Sequence, residues 1–275
     1  MNALPFSFVR AGLIAGHVLR AASRQRAAAI LVLLAAAFVV GSLGLRDVNF
    51  GASELKFLAD LGFGAMTLFG SALAIVATAQ LFFAEIEQRT LLTLLAKPVR
   101  RAEFVVGQYL GVVALLAGFC ALLTGLLAAV LWSRALVLAS GPDAVVYQIN
   151  HHAIAAVGLT LWLELAVLAA LTLLIASFAE TPLFAIALGF LVLAVCHLQS
   201  LAQDAAQRAG TLAARVGAGA LALLLPNFQV FNFAESLGAG VPLAWGDVAS
   251  AGVYALGYAA AACALAVVSF NRREL

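Results

Sequence analysis

Charge is what this sequence has least of. Only 15 basic and 13 acidic residues occur among 275, while 65% of the chain is apolar and its mean hydropathy is +1.09. Such a composition excludes both a soluble globular chain and a disordered one, and describes an integral membrane protein. Cysteine is nearly absent. Cys120, Cys196 and Cys263 stand in separate apolar runs, which excludes a disulfide framework or a thiolate zinc site and leaves them as small buried side chains. With methionine only at Met1 and Met66, there is no thioether ladder for copper. Nucleotide chemistry is missing as well. No Gly-x-x-x-x-Gly-Lys-[Ser/Thr] loop occurs, and no soluble stretch could house a nucleotide domain, so the chain is not expected to hydrolyse ATP by itself. The net charge of +2 is explained by basic loops against anionic lipid and calls for no nucleic acid.

What is present is apolar length. Residues 27–45, 61–83, 104–131, 154–178 and 249–270 each supply the run of roughly 20 residues that a membrane helix needs, and 183–201 makes a sixth. These runs are continuously apolar and lack the two-residue alternation of a membrane barrel, which predicts an all-α bundle. The first run follows a long arginine-bearing segment, so no cleavable signal is expected. Placing the N-terminus in the cytoplasm puts Arg10, Arg20, Arg24, Arg26, Arg89, Lys97, Arg100, Arg101, Arg272 and Arg273 inside, against Arg46, Lys56, Arg134, Arg208 and Arg215 outside. That bias predicts six spans with both termini in the cytoplasm. A seventh crossing over 216–225 is about half the needed length and would move Arg272 and Arg273 outside.

Before the first span, 5–26 reads as a helix on the membrane surface. At 100° per residue Arg10, His17, Arg20 and Arg24 share one sector, with Phe8, Ala11, Ile14, Ala15, Val18, Leu19 and Ala22 opposite. It either anchors the N-terminus or also touches a cytoplasmic partner. Outer loops are expected at 46–60 and 133–153. The long segment 202–246 is too polar to span and too apolar to float, so it is expected to cap or dip into the outer leaflet, with helical composition over 202–225, a break at Pro226 and Asn227, and a second short helix over 228–237. The inner connection 179–182 is a tight turn, either structural or a contact for a partner.

The charges that do occur concentrate in 84–103, where Glu85, Glu87, Arg89, Lys97, Arg100, Arg101 and Glu103 lie between two spans. Glu85 and Arg89 have the spacing that supports a helix, and Ile86, Leu91, Leu94 and Leu95 give it a side to rest on the bundle. Pro98 should end that helix near Lys97. The product is a short, rigid lever between two spans.

The run Glu85-Ile86-Glu87-Gln88-Arg89-Thr90-Leu91, with Leu95-Ala96-Lys97-Pro98-Val99, Arg101-Ala102-Glu103-Phe104 and Gly107-Gln108-Tyr109-Leu110-Gly111, resembles the cytoplasmic loop of ABC-2-type transporter permeases. Gln108 stands where that family usually has lysine. The wording is closest to permeases grouped with multicopper-enzyme maturation transporters, and Leu225-Pro226-Asn227-Phe228 with Phe231-Asn232 is similar to a motif these permeases carry before their last span. The resemblance implies a type V exporter-like fold with a surface connecting helix, a coupling helix and a re-entrant outer element before the sixth span. It implies that Glu85, Glu87, Gln88, Arg89, Thr90, Lys97, Pro98, Arg100 and Arg101 seat in a groove of a separate ATPase, with Thr181 and Pro182 as a smaller second contact. It further implies ATP and magnesium bound by an ATPase dimer, no cofactor in this chain, and a second permease chain, by symmetry a homodimer, in a bacterial inner membrane. A mechanotransmission complex acting on a periplasmic accessory protein is an alternative. So is a secondary transporter or channel using Glu164 as a proton site, although neither the broken helices nor the inverted repeat of such proteins is visible.

Glu164 is the one carboxylate well inside an expected span, either on a pathway or joining helices. Gln80, Gln108 and Tyr109 could line an inner vestibule or join helices through hydrogen bonds. His151 and His152 lack a third metal ligand, and His197 beside Cys196 reads as helix packing. Gly64, Gly70, Gly107, Gly111 and Gly118 read as close-packing positions.

Overall fold

A computed structural model describes residues 6–45, 54–87, 100–140, 151–209, 217, 219, 225–234 and 244–272. These residues form an all-α membrane bundle with helices α1 (Phe8–Ser23), α2 (Arg26–Gly41), α3 (Glu54–Glu87), α4 (Arg101–Ala139), α5 (His151–Phe178), α6 (Pro182–Ala209) and α7 (Trp245–Arg272). Six of them, α2 to α7, are long and apolar enough to cross a membrane. Short 3-10 turns occupy Ser42–Leu45 and Phe228–Phe231.

The helices run further than the apolar stretches. Charged side chains at a span's edge continue the helix when a partner satisfies them. At the end of the bundle away from α1, Arg134 Nε donates to Glu54 Oε1 at 2.8 Å, tying the last turns of α4 to the first turn of α3. The surface helix is shorter than the expected 5–26, ending at a break around Arg24 and Gln25.

Buried position follows sequence in a simple way. In α5 and α3, 72% and 67% of the apolar window lies inside the protein, against 22% in α2 and α6. The continuously apolar α5 is therefore the hub, and its neighbours keep apolar surface outward, as a bilayer permits. Along α7, Ala251, Ala255, Ala259, Ala262 and Ala266 are buried, and these small side chains let α7 approach α5 closely. At the α1 end Phe82, Phe83, Phe104 and Phe270 form a cluster with ring centroids 5.6–6.0 Å apart. Each such aromatic pair adds about 0.5–1.5 kcal/mol beyond area. This cluster fixes the ends of α3 and α7 against the start of α4.

Candidate functional site

The charged segment itself is only partly described. Gln88, Arg89, Thr90, Lys97 and Pro98 lie outside the described residues, while Glu85 and Glu87 belong to the last turn of α3 and Arg100 is the N-cap of α4. Both limbs that carry the segment meet α1, which holds the α4 limb through Glu103.

On the α4 limb, Glu103 is completely buried. Its carboxylate accepts from Ser7 N at 2.8 Å, from Arg10 Nη2 at 2.7 Å and from Arg100 N at 3.1 Å. A carboxylate this deep persists because it is both paired and hydrogen-bonded. The same face continues down the helix. A Cβ added to Gly107 would stand 2.7 Å from Ile14 and 2.9 Å from the Ala11 carbonyl, and one on Gly111 would stand 2.6 Å from Val18 and 2.8 Å from the Ala15 carbonyl. Glu103, Gly107 and Gly111, spaced by four, form one stripe on α4. The stripe seats α1 backbone against backbone. On the α3 limb, His17 Nδ1 lies 3.6 Å from Glu85 Oε1. The surface helix thus crosses the base of the segment, touching its entry and its exit.

This arrangement alters the expected faces of α1. Arg10 turns to Glu103 and is not wholly on the solvated side. On the expected apolar side Ala11, Val18 and Ala22 face the protein and Phe8 remains exposed, while Val9 and Leu13, beside and on the basic sector, are exposed too, available to lipid.

Arg101 also has partners inside the chain. Its Nη1 donates to the Phe270 and Asn271 carbonyls at 2.9 and 3.1 Å, with the guanidinium 5.7 Å from the Phe270 ring. It therefore caps the C-terminus of α7, where unpaired carbonyls attract a cation. Gln108 joins helices, donating through Nε2 to the Leu81 carbonyl at 3.2 Å from a buried position. Tyr109 packs between the two core clusters, and Gln80 is partly exposed on α3. The 179–182 turn is a capped helix start. Thr181 Oγ1 accepts from Phe184 N at 3.2 Å and Pro182 takes the first helical position, where its missing N–H costs nothing.

The second polar feature lies in mid-bundle. Glu164 on α5 and His197 on α6 approach to 3.3 Å between Oε1 and Nε2. They are 33 positions apart on different helices, so neither spacing nor pattern announces the pair. The expectation of simple packing for His197 is corrected to this extent: its ring meets Glu164 on one side and Phe228 edge-on at 5.3 Å on the other. Both residues line a cavity of about 910 Å³ between α2, α3, α5, α6 and the Phe228–Phe231 turn. Gln80, Gln108 and Tyr109 do not line it. The turn is held by Gln199 Nε2 donating to the Leu225 carbonyl at 3.1 Å and by Asn227 N donating to the Tyr254 hydroxyl at 2.8 Å. Phe228 and Phe231 are consequently buried within the bundle. Of the glycines named from sequence, Gly70, Gly107 and Gly111 make close approaches, whereas Gly64 and Gly118 face open space.

With this geometry in place, a family comparison is decisive: the profile of the ABC-2 family transporter protein matches residues 46–275. The chain belongs to the ABC-2 transporter family. No curated protein matches it significantly. As an ABC-2 permease it is a multi-pass membrane subunit of an ABC transporter. The matched region begins just after α2, so α1 and α2 lie outside it. The contacts of Glu103, Gly107 and Gly111 therefore reach from the matched region to a helix beyond it.

Proposed function

We propose that the chain is the export permease of an ATP-binding cassette transporter, in which segment 84–103 carries the force of a separate ATPase into the bundle. In this reading the segment is a cytoplasmic coupling helix seated in a groove of the ATPase, both termini are cytoplasmic, and the fold is of the type V exporter class. Two permease chains, by symmetry identical, work with two ATPase chains that bind ATP and magnesium. Glu87, Gln88, Arg89 and Thr90 form the contact, ended by Lys97 and Pro98. Thr181 and Pro182 form the smaller second contact.

The observation that carries the proposal is the way α1 bridges both limbs of the segment, through Glu85 and through Glu103. A segment clamped to α1 at its exit through Glu103 and lying against α1 at its entry moves its spans with it. Arg101, fastened to the end of α7, extends the same body to the last span. Rotation of the segment would then tilt α3, α4 and α7 as a unit around the cavity that Glu164 faces.

Photo-crosslinking from position 89 in cells tests this. An adduct with an ATP-binding subunit is expected. Adducts with lipid alone would overturn the proposal.

A further inference from the structure

We infer that the cavity facing Glu164 is a binding site for a lipophilic cation. Its volume, about 910 Å³, lies in the range of small-molecule sites. Six phenylalanines line it, Phe63, Phe69, Phe190, Phe228, Phe231 and Phe233, and the faces of such rings attract cations. Among the described residues Glu164 and His197 are its ionisable lining.

The polar atoms in the wall call for positive charge. Glu164 is buried, and its Oε1 receives no hydrogen bond among the described residues. His197 Nε2 stands 3.3 Å away but off the hydrogen-bond direction. Because Nδ1 lies 3.2 Å from the Leu193 carbonyl, and a carbonyl can only accept, the ring hydrogen belongs on Nδ1. A buried carboxyl group without a hydrogen bond in an apolar cavity leaves a place for a cation whose apolar body fills the aromatic wall. The hydroxyls of Thr67 and Ser71, also in the wall, already donate to the Phe63 and Thr67 carbonyls, which leaves them as acceptors. An adjoining cavity of about 620 Å³ shares Phe63, Gly64, Thr67, Asn232 and Ala234 with it and reaches Lys56 and Asp60. That gives the chamber a polar mouth on the side away from α1.

This inference rests on the export reading and names its cargo class. The test uses the full chain with its co-purified ATPase in nanodiscs, with empty-nanodisc uptake subtracted. Radiolabelled tetraphenylphosphonium is compared with tetraphenylborate, an anion of the same shape. Saturable binding of the cation is expected, with the anion at least about tenfold weaker. Glu164→Gln should weaken cation binding about thirtyfold or more, the effect of removing one partner of a buried charge pair. Glu164→Asp should stay within a few-fold of the parent, as should Asp247→Asn on the exposed start of α7. The inference is overturned by absent saturable cation binding, by equal binding of cation and anion, or by Glu164→Gln binding as tightly as the parent. If the ATPase co-purifies while any of these results appears, the export reading stands and this inference alone falls. Absence of an ATPase removes the export reading whatever the probe does.

Discussion

Replacing Glu103 by alanine should release the surface helix from the bundle. The substitution removes the acceptor of the Ser7 and Arg100 N–H groups and of the Arg10 guanidinium. Hydrogen bonds to a charged group are worth roughly 1.5–3 kcal/mol each. Arg10 is 28% exposed, so water recovers much of its share, and the freed N–H groups at helix starts are partly rehydrated. The docking of α1 is then weakened by about 2–4 kcal/mol, near the range for a broken buried pair. That corresponds to an opening about thirty- to a thousandfold more populated. Val18 reports on it, since it is 2% exposed and packs over Gly111. A cysteine at position 18 should react with a soluble maleimide slowly in the parent and faster by that factor with Glu103→Ala. The native cysteines are buried and give a low background. Glu103→Gln keeps one acceptor oxygen and should fall between. Unchanged labelling in Glu103→Ala would refute the clamp.

Gly107→Val should displace α1 through its contacts with Ile14 and the Ala11 carbonyl, with a cost of about 1–3 kcal/mol or more seen as faster labelling at position 18 although Glu103 is intact. Arg101→Ala should loosen the end of α7 by about 1–2 kcal/mol, because the Phe270 and Asn271 carbonyls lose their donor; hydrogen exchange over 266–272 checks this. Gln108→Leu should leave thermal stability within about 1 kcal/mol of the parent, since it removes one bond to Leu81 together with a buried unpaired Oε1.

Sequence reveals what a bilayer forces on the chain. The six spans are legible because each must be apolar for its full length, and Gly107 and Gly111 are legible as packing positions because small residues four apart make a smooth helix face. The ends of the helices are less so. Glu54 and Arg134 extend α3 and α4 past the apolar runs by pairing across 80 positions, a tertiary fact with no local sign. The role of Glu103 is hidden for the same reason: it sits in a legible motif, but its partners Ser7 and Arg10 lie 96 and 93 positions away. Glu164 stands out in sequence as an intramembrane charge, whereas His197 gains meaning only when α5 and α6 pack. Arg101 reads as one more basic residue of the loop until the end of α7 arrives beside it.

The central claim, that segment 84–103 couples an ATPase to the bundle, is tested most directly by ATPase stimulation in the reconstituted complex with Glu87→Ala and Arg89→Ala. The account predicts that each substitution weakens assembly or leaves ATP hydrolysis uncoupled from transport, with the helical bundle still folded. Full assembly and full coupling in both variants would contradict it.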